Sequence, residues 1–226
     1  MTKKKEPTDY GPIQFPDRLG LQQWEFERAQ ALGVIPPADV ASGSRWSAAV
    51  VADAMSRLEE IRAAVGTQPD VGGWRAAEVL TERFGQEVTA DAVMELGRRN
   101  LIPVVGEYKG HAMYDGRALE AFEDREALDA AAHAGQLYSK NAAAAYLRIR
   151  PADLEHLLRA GLLEEKHRVR SWNQPKRAYP AVPLYRRGDL DELLARTDLA
   201  WTEAQATPKG HPSPFAKLPD KEPVSA

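Results

Sequence analysis

The sequence predicts a mainly α-helical protein with small β wings, organised as tandem winged helix-turn-helix units. Three observations lead there. One template recurs three times, positive charge collects in a single segment, and the composition is that of an ordinary globular chain. Of the 226 residues, 43% are hydrophobic and 28% charged, inside the usual range for folded domains. The template is a short helical pattern ending in an aliphatic pair, a polar stretch, an aromatic residue and another short helix. The pairs are Val34-Ile35, Leu101-Ile102 and Leu162-Leu163; the aromatics are Trp46, Tyr114 and Tyr185. Five residues after each aromatic stands Val51, Leu119 or Leu190. Recurrence at such spacing marks repeated supersecondary units.

The third copy, residues 134–200, reads most clearly. Ser139 suits a helix N-cap before Asn141, the alanines 142–145, Tyr146 and Leu147. A break at Arg148-Ile149-Arg150 follows, and Pro151 fits the first turn of a second helix with Leu154, Leu157 and Leu158 as its apolar stripe. Gly161 closes that helix. Two helices joined by so short a turn form a helix-turn-helix. Glu164 to Arg187 is rich in β-branched, aromatic and turn residues, with Asn173-Gln174-Pro175 near its middle, and predicts a hairpin with a long tip. A final helix is expected from Asp189, with Glu192 completing a capping box.

The middle copy, residues 70–128, repeats this order. Its first helix holds Trp74, Ala77, Leu80 and Phe84; Thr89 caps the second, and a hairpin turns at Lys109-Gly110. The first copy, residues 13–66, is degenerate, because only Ile13-Gln14-Phe15-Pro16 precedes Leu21 to Leu32. Trp24, Phe26 and Trp46 are expected in its core. Residues 1–12 are expected to form a disordered arm. So are residues 202–226, a tail holding five prolines and few core-forming side chains.

Residues 136–197 resemble the winged helix-turn-helix of MerR and excisionase proteins. The resemblance rests on Tyr138-Ser139 with Ala142-Ala143, on Leu154 to Gly161-Leu162-Leu163, and on Tyr185 with Gly188-Asp189-Leu190. A weaker likeness extends over residues 73–128. It implies a second helix in the DNA major groove and a wing on the backbone or minor groove. No long coiled-coil helix or cysteine-containing effector loop follows, which separates this chain from effector-gated MerR activators.

The net charge is −3 and the pI about 6.0, which by itself argues against nucleic acid as a partner. The distribution argues otherwise. Residues 71–128 carry 7 Lys/Arg against 11 Asp/Glu, whereas residues 129–200 carry 12 against 9. The groove-facing side of the helix from Pro151 would present Asp153, Glu155, His156 and Arg159, the last able to grip guanine with two hydrogen bonds. Ser139 and Lys140 stand at a helix N-terminus, where a phosphate is favoured, although capping alone also accounts for Ser139. Arg148 and Arg150 flank the turn. The wing supplies Lys166, Arg168, Arg170, Lys176, Arg177, Arg186 and Arg187, and alternation puts Lys166, Arg168 and Arg170 on one face of a strand. Weaker candidates in the middle copy are Arg75, Arg98, Arg99, Lys109 and His111.

No catalytic residue is assigned. The five histidines lack metal-ligand spacing, and neither a phosphate-cradling glycine loop nor a Gly-x-Ser-x-Gly elbow is present. Cysteine is absent, which removes disulfides and thiolate metal sites. The expectation is therefore a non-enzymatic, cofactor-free, metal-free protein that binds double-stranded DNA and self-associates as a dimer or along DNA. It would be cytoplasmic and nucleoid-associated, without membrane contact. It would act in transcription control or in plasmid or phage replication, partition or recombination. The rival expectation is a protein-interaction adaptor that reuses the same fold without touching DNA.

Overall fold

The computed structural model describes residues 7–41, 43–169 and 182–221. Among them the chain is mainly helical with small antiparallel sheets. The first part runs β1 (Asp9–Tyr10), α1 (Gln14–Leu19), α2 (Gln23–Ala31), β2 (Trp46–Ser47), α3 (Ala48–Ser56) and α4 (Leu58–Val65). Next come β3 (Val71–Gly72), α5 (Gly73–Phe84), α6 (Ala90–Arg98), β4 (Val104–Tyr108), β5 (His111–Tyr114), α7 (Gly116–Ala121) and α8 (Arg125–Gly135). The last part runs β6 (Leu137–Ser139), α9 (Lys140–Leu147), α10 (Pro151–Arg159), β7 (His167–Val169), β8 (Val182–Arg186), α11 (Arg187–Leu194), α12 (Trp201–Ala206) and a 3₁₀ turn at Pro214–Lys217.

A common order underlies the three parts: an opening strand, two helices, a returning strand and a third helix. The middle and last parts each add a hairpin strand, giving sheets ordered β3-β5-β4 and β6-β8-β7. In every copy the template aromatic lies opposite a residue of the opening strand: Trp46 faces Tyr10, Tyr114 faces Val71 and Tyr185 faces Tyr138. Trp46, Tyr114 and Tyr185 are buried, as are Val51, Leu119 and Leu190 on the helix that follows. The second residue of each aliphatic pair, Ile35, Ile102 and Leu163, is buried too. Spacing in the sequence thus reflects a recurring pattern of buried positions, and in the first and last parts the ring on the sheet joins the helix pair in one small core.

Four expectations need correction. The first copy does have a first helix. α1 buries Phe15, Pro16 and Leu19 and ends at Gly20, whose φ of 65° suits glycine. Six residues are too few for helical periodicity to be read, and Pro16 in the first turn conceals the helix further. Residues 9 and 10 of the supposed disordered arm pair with β2; residues 1–6 lie outside the described residues. The supposed disordered tail forms α12 and the 3₁₀ turn through Lys217. Phe215 is buried edge-to-face against Trp201, with ring centroids 5.4 Å apart. Its anchors are sparse among prolines, so composition alone misleads. Finally, α11 begins at Arg187 rather than Asp189, and its N-cap residue, Arg186, makes no side-chain cap.

The chain divides into two compact units, Met1–Leu80 with Asn100–Glu123, and Thr81–Arg99 with Asp124–Ala226. The division runs through α5 and assigns the β4-β5 hairpin to the first unit and α6 to the second, so it does not coincide with the sequence-based boundaries at 70 and 128. In the first unit Phe15, Phe26 and Trp46 meet with centroids 5.1 to 5.5 Å apart. Arg28 donates to the carbonyls of Val65 and Gln68 at 2.8 and 2.7 Å and pairs with Asp70 at 2.6 Å. In the second unit α8 packs on α6 and α11. The approach to α6 is close: a Cβ on Gly135 would stand 2.7 Å from the Asp91 carbonyl oxygen.

Candidate nucleic-acid interface

The helix pair α9–α10 and its turn position Ser139, Lys140, Arg148, Arg150, His156 and Arg159. Ser139 caps α9, its hydroxyl accepting from the Ala142 N–H at 3.4 Å. Arg148 ends the helix with a φ of 58°. Its side chain is exposed and has no partner among the described residues. After a turn of three residues Pro151 opens α10, and the Asp153 carboxylate reaches back to accept from the Arg150 N–H at 3.0 Å. Asp153 is fully buried, which contradicts its expected place on the groove-facing side. Burial would raise its pKa, but hydrogen bonds from Arg150 and Ser213 outweigh burial and hold it below the ordinary carboxylate value.

The remaining outward face of α10 carries Glu155, half-buried His156 and Arg159. Lys140 pairs with Glu155, and that pairing lowers the Glu155 pKa. Arg150 is held at both ends. Its Nε and one terminal nitrogen bind Asp153 at 2.8 and 2.7 Å, and the other donates to the Pro208 and His211 carbonyls at 2.9 and 2.8 Å. Arg150 is therefore a structural tie between α10 and the C-terminal segment, and its assignment as a ligand contact is corrected.

The hairpin divides its cations. β7 is, with β6, an edge strand of its sheet and pairs His167, Arg168 and Val169 with Leu184, Pro183 and Val182. Lys166 stands just before it, exposed, with Nζ 3.7 Å from Asp189 Oδ2 and 4.0 Å from Glu164. Arg168 lies on β7; Arg170, Lys176 and Arg177 fall outside the described residues. Arg186 contradicts its assignment outright. It is buried and binds Asp189 and Glu95, the latter at 2.5 Å. Burial pulls its pKa down, but the two carboxylates outweigh burial and leave it raised. Arg187 stacks over the Tyr146 ring at 5.1 Å and donates to Gln136 at 3.2 Å.

Among the weaker candidates, Arg75 pairs with Glu78 at 2.7 Å, and Lys109 lies 5.1 Å over the Tyr108 ring. His111 is exposed. Arg99 binds Glu95 at 2.9 Å and Arg98 lies 3.6 Å from it, so both belong to the buried cluster around Arg186. That cluster escaped the sequence reading although a signal existed: Glu95 falls on the same helical stripe as Ala92 and Leu96, both buried. Among the described residues no helix is long and apolar enough to cross a membrane, and no group of three potential metal ligands converges. No family model, curated protein or solved structure matches the chain.

Proposed function

We propose that the second unit binds double-stranded DNA as a winged helix-turn-helix module, with α10 in the major groove and the β7-β8 hairpin against the backbone or minor groove. One observation carries this reading. The strand that bears Arg168, within the Lys166-x-Arg168-x-Arg170 alternation, is one of the two edge strands of its sheet among the described strands, which suits it to a phosphate run. Arg148 supports it, an exposed cation kept in a left-handed conformation that costs an ordinary side chain stability. Transcription control or the upkeep of a replicating, partitioning or recombining locus are the tasks this would serve, with self-association along the DNA.

Fluorescence anisotropy with duplex fragments across a salt series tests it. Binding should weaken with salt. Arg168→Ala with Arg170→Ala should reduce the slope of log K against log salt by about 0.9 for each phosphate no longer neutralised. A folded double variant with the parent's affinity and slope would remove the wing from the interface.

A second reading, a protein-interaction adaptor, is favoured by the first unit. Trp74 is 82% exposed there, and the outer strand β4 carries Val104, Val105 and Tyr108 in the open. It predicts no measurable duplex binding, together with Trp74→Ala variants that no longer associate with a protein partner.

A further inference from the structure

The C-terminal segment does more than complete a core. Every described polar partner of the Arg159 guanidinium belongs to it. Nε pairs with Asp220 at 2.5 Å, and one terminal nitrogen donates to the carbonyls of Ala216 and Leu218 at 3.2 and 3.5 Å. The segment is fixed on both sides of this site. Upstream, Phe215 is buried against Trp201 and the Ser213 hydroxyl accepts from the Phe215 N–H at 3.2 Å. Downstream, the Lys221 N–H donates to the Arg159 carbonyl at 3.0 Å and its ammonium pairs with Glu164 at 2.9 Å. Lys221 also leans over Gly161, where a Cβ would meet its side chain at 2.7 Å.

Chemically, a carboxylate flanked by carbonyl oxygens presents an arginine with the same acceptors as a guanine edge or a phosphate. The pair is also weak enough to exchange, since the Asp220 side chain is 72% exposed and that of Arg159 42%. We propose that residues 216–221 are an intramolecular competitor of duplex DNA for Arg159. They hold the guanidinium when no DNA is bound and release it to the groove when DNA arrives. This rests on the DNA-binding reading above. It adds that the segment lowers affinity and that displacing Asp220 accompanies binding.

The test compares four full-length chains by anisotropy on one duplex: parent, Asp220→Asn, Arg159→Ala and the double variant. Asp220 is exposed and outside the core, so Asp220→Asn should melt with the parent. The expected result is about two- to fivefold tighter binding for Asp220→Asn, the range in which an exposed ion pair competes. That gain should vanish when Arg159 is already alanine. If Arg159→Ala weakens binding while Asp220→Asn matches the parent, Arg159 meets DNA without a competitor. The competitor is then overturned and the DNA-binding reading stands. If Asp220→Asn gains equally with and without Arg159, the effect is general charge repulsion, and the competitor again fails. Should none of the four chains bind any duplex, the DNA-binding reading itself falls, and the competitor with it.

Discussion

Glu95 and Arg186 are each under a tenth exposed, and each is a counter-charge to the other. Glu95 accepts from Arg186 at 2.5 Å and from Arg99 at 2.9 Å, while Asp189 takes a further share of the Arg186 guanidinium. Removing Arg186 leaves the buried Glu95 only the part-exposed Arg99 and Arg98 as counter-charges, and breaking a buried pair in this way costs up to about 3–5 kcal/mol. Arg186→Ala should therefore lower stability by that order in urea denaturation. A drop under about 1 kcal/mol would show that the cluster is solvated in solution. Asp153 makes a related prediction in pH. Its native pKa is depressed, so its stabilising contribution is complete above the ordinary carboxylate value near 3.8 and disappears as pH falls below that through the native value. Acid denaturation of Asp153→Asn should lack this component, and an unchanged acid midpoint would contradict it. Arg148 points the other way. With a φ of 58° it occupies a position glycine fills without strain, so Arg148→Gly should raise stability by roughly 1 kcal/mol in urea denaturation, while giving up a candidate phosphate ligand.

At the level of elements, the α6–α8 packing is set by backbone approach. A methyl group on Gly135 would stand 2.7 Å from the Asp91 carbonyl oxygen and 3.2 Å from the Ala92 nitrogen, and main chain cannot swing aside as a side chain can. Gly135→Ala should cost about 1–3 kcal/mol, read as a lower midpoint in urea. Near-parental stability would mean that the helices slide apart freely. α6, an amphipathic helix capped by Thr89, also carries the buried charge cluster. Its Glu95 face is occupied by Arg186 and Arg99. In the last part of the chain, α12 serves the helix pair directly, because Gln205 donates to the Leu147 carbonyl at 3.0 Å, an acceptor that α9 itself leaves open.

For the molecule as a whole, a net charge of −3 means that any affinity for DNA must come from local arrangement. The cations do not contribute equally, because several are committed within the fold. Salt-dependence measurements should separate them. Arg148→Ala should reduce the slope by about 0.9, whereas a folded Arg150→Ala should leave it unchanged. Equal effects from both would mean that Arg150 leaves Asp153 and the C-terminal carbonyls on binding.

Reading along the chain was enough for the repeated template, the core aromatics Phe26 and Trp46 (Trp24, expected with them, is only half-buried), the α9 and α6 caps and the hairpin turn at Lys109-Gly110, whose backbone φ values are 52° and 80°. These are local matters, set by periodicity, capping chemistry and the conformational freedom of particular residues. Which charges stay available emerged only once the chain was folded. Lys140, Arg150, Arg159 and Arg186 look alike as cations in one dimension, yet their partners are Glu155, Asp153, Asp220 and Glu95, two of them 61 and 91 residues away. An ion pair depends on separation in space, and separation along the chain does not predict it. For the same reason a proline-rich stretch with one phenylalanine reads as tail, until the pocket that accepts Phe215 is folded beside it.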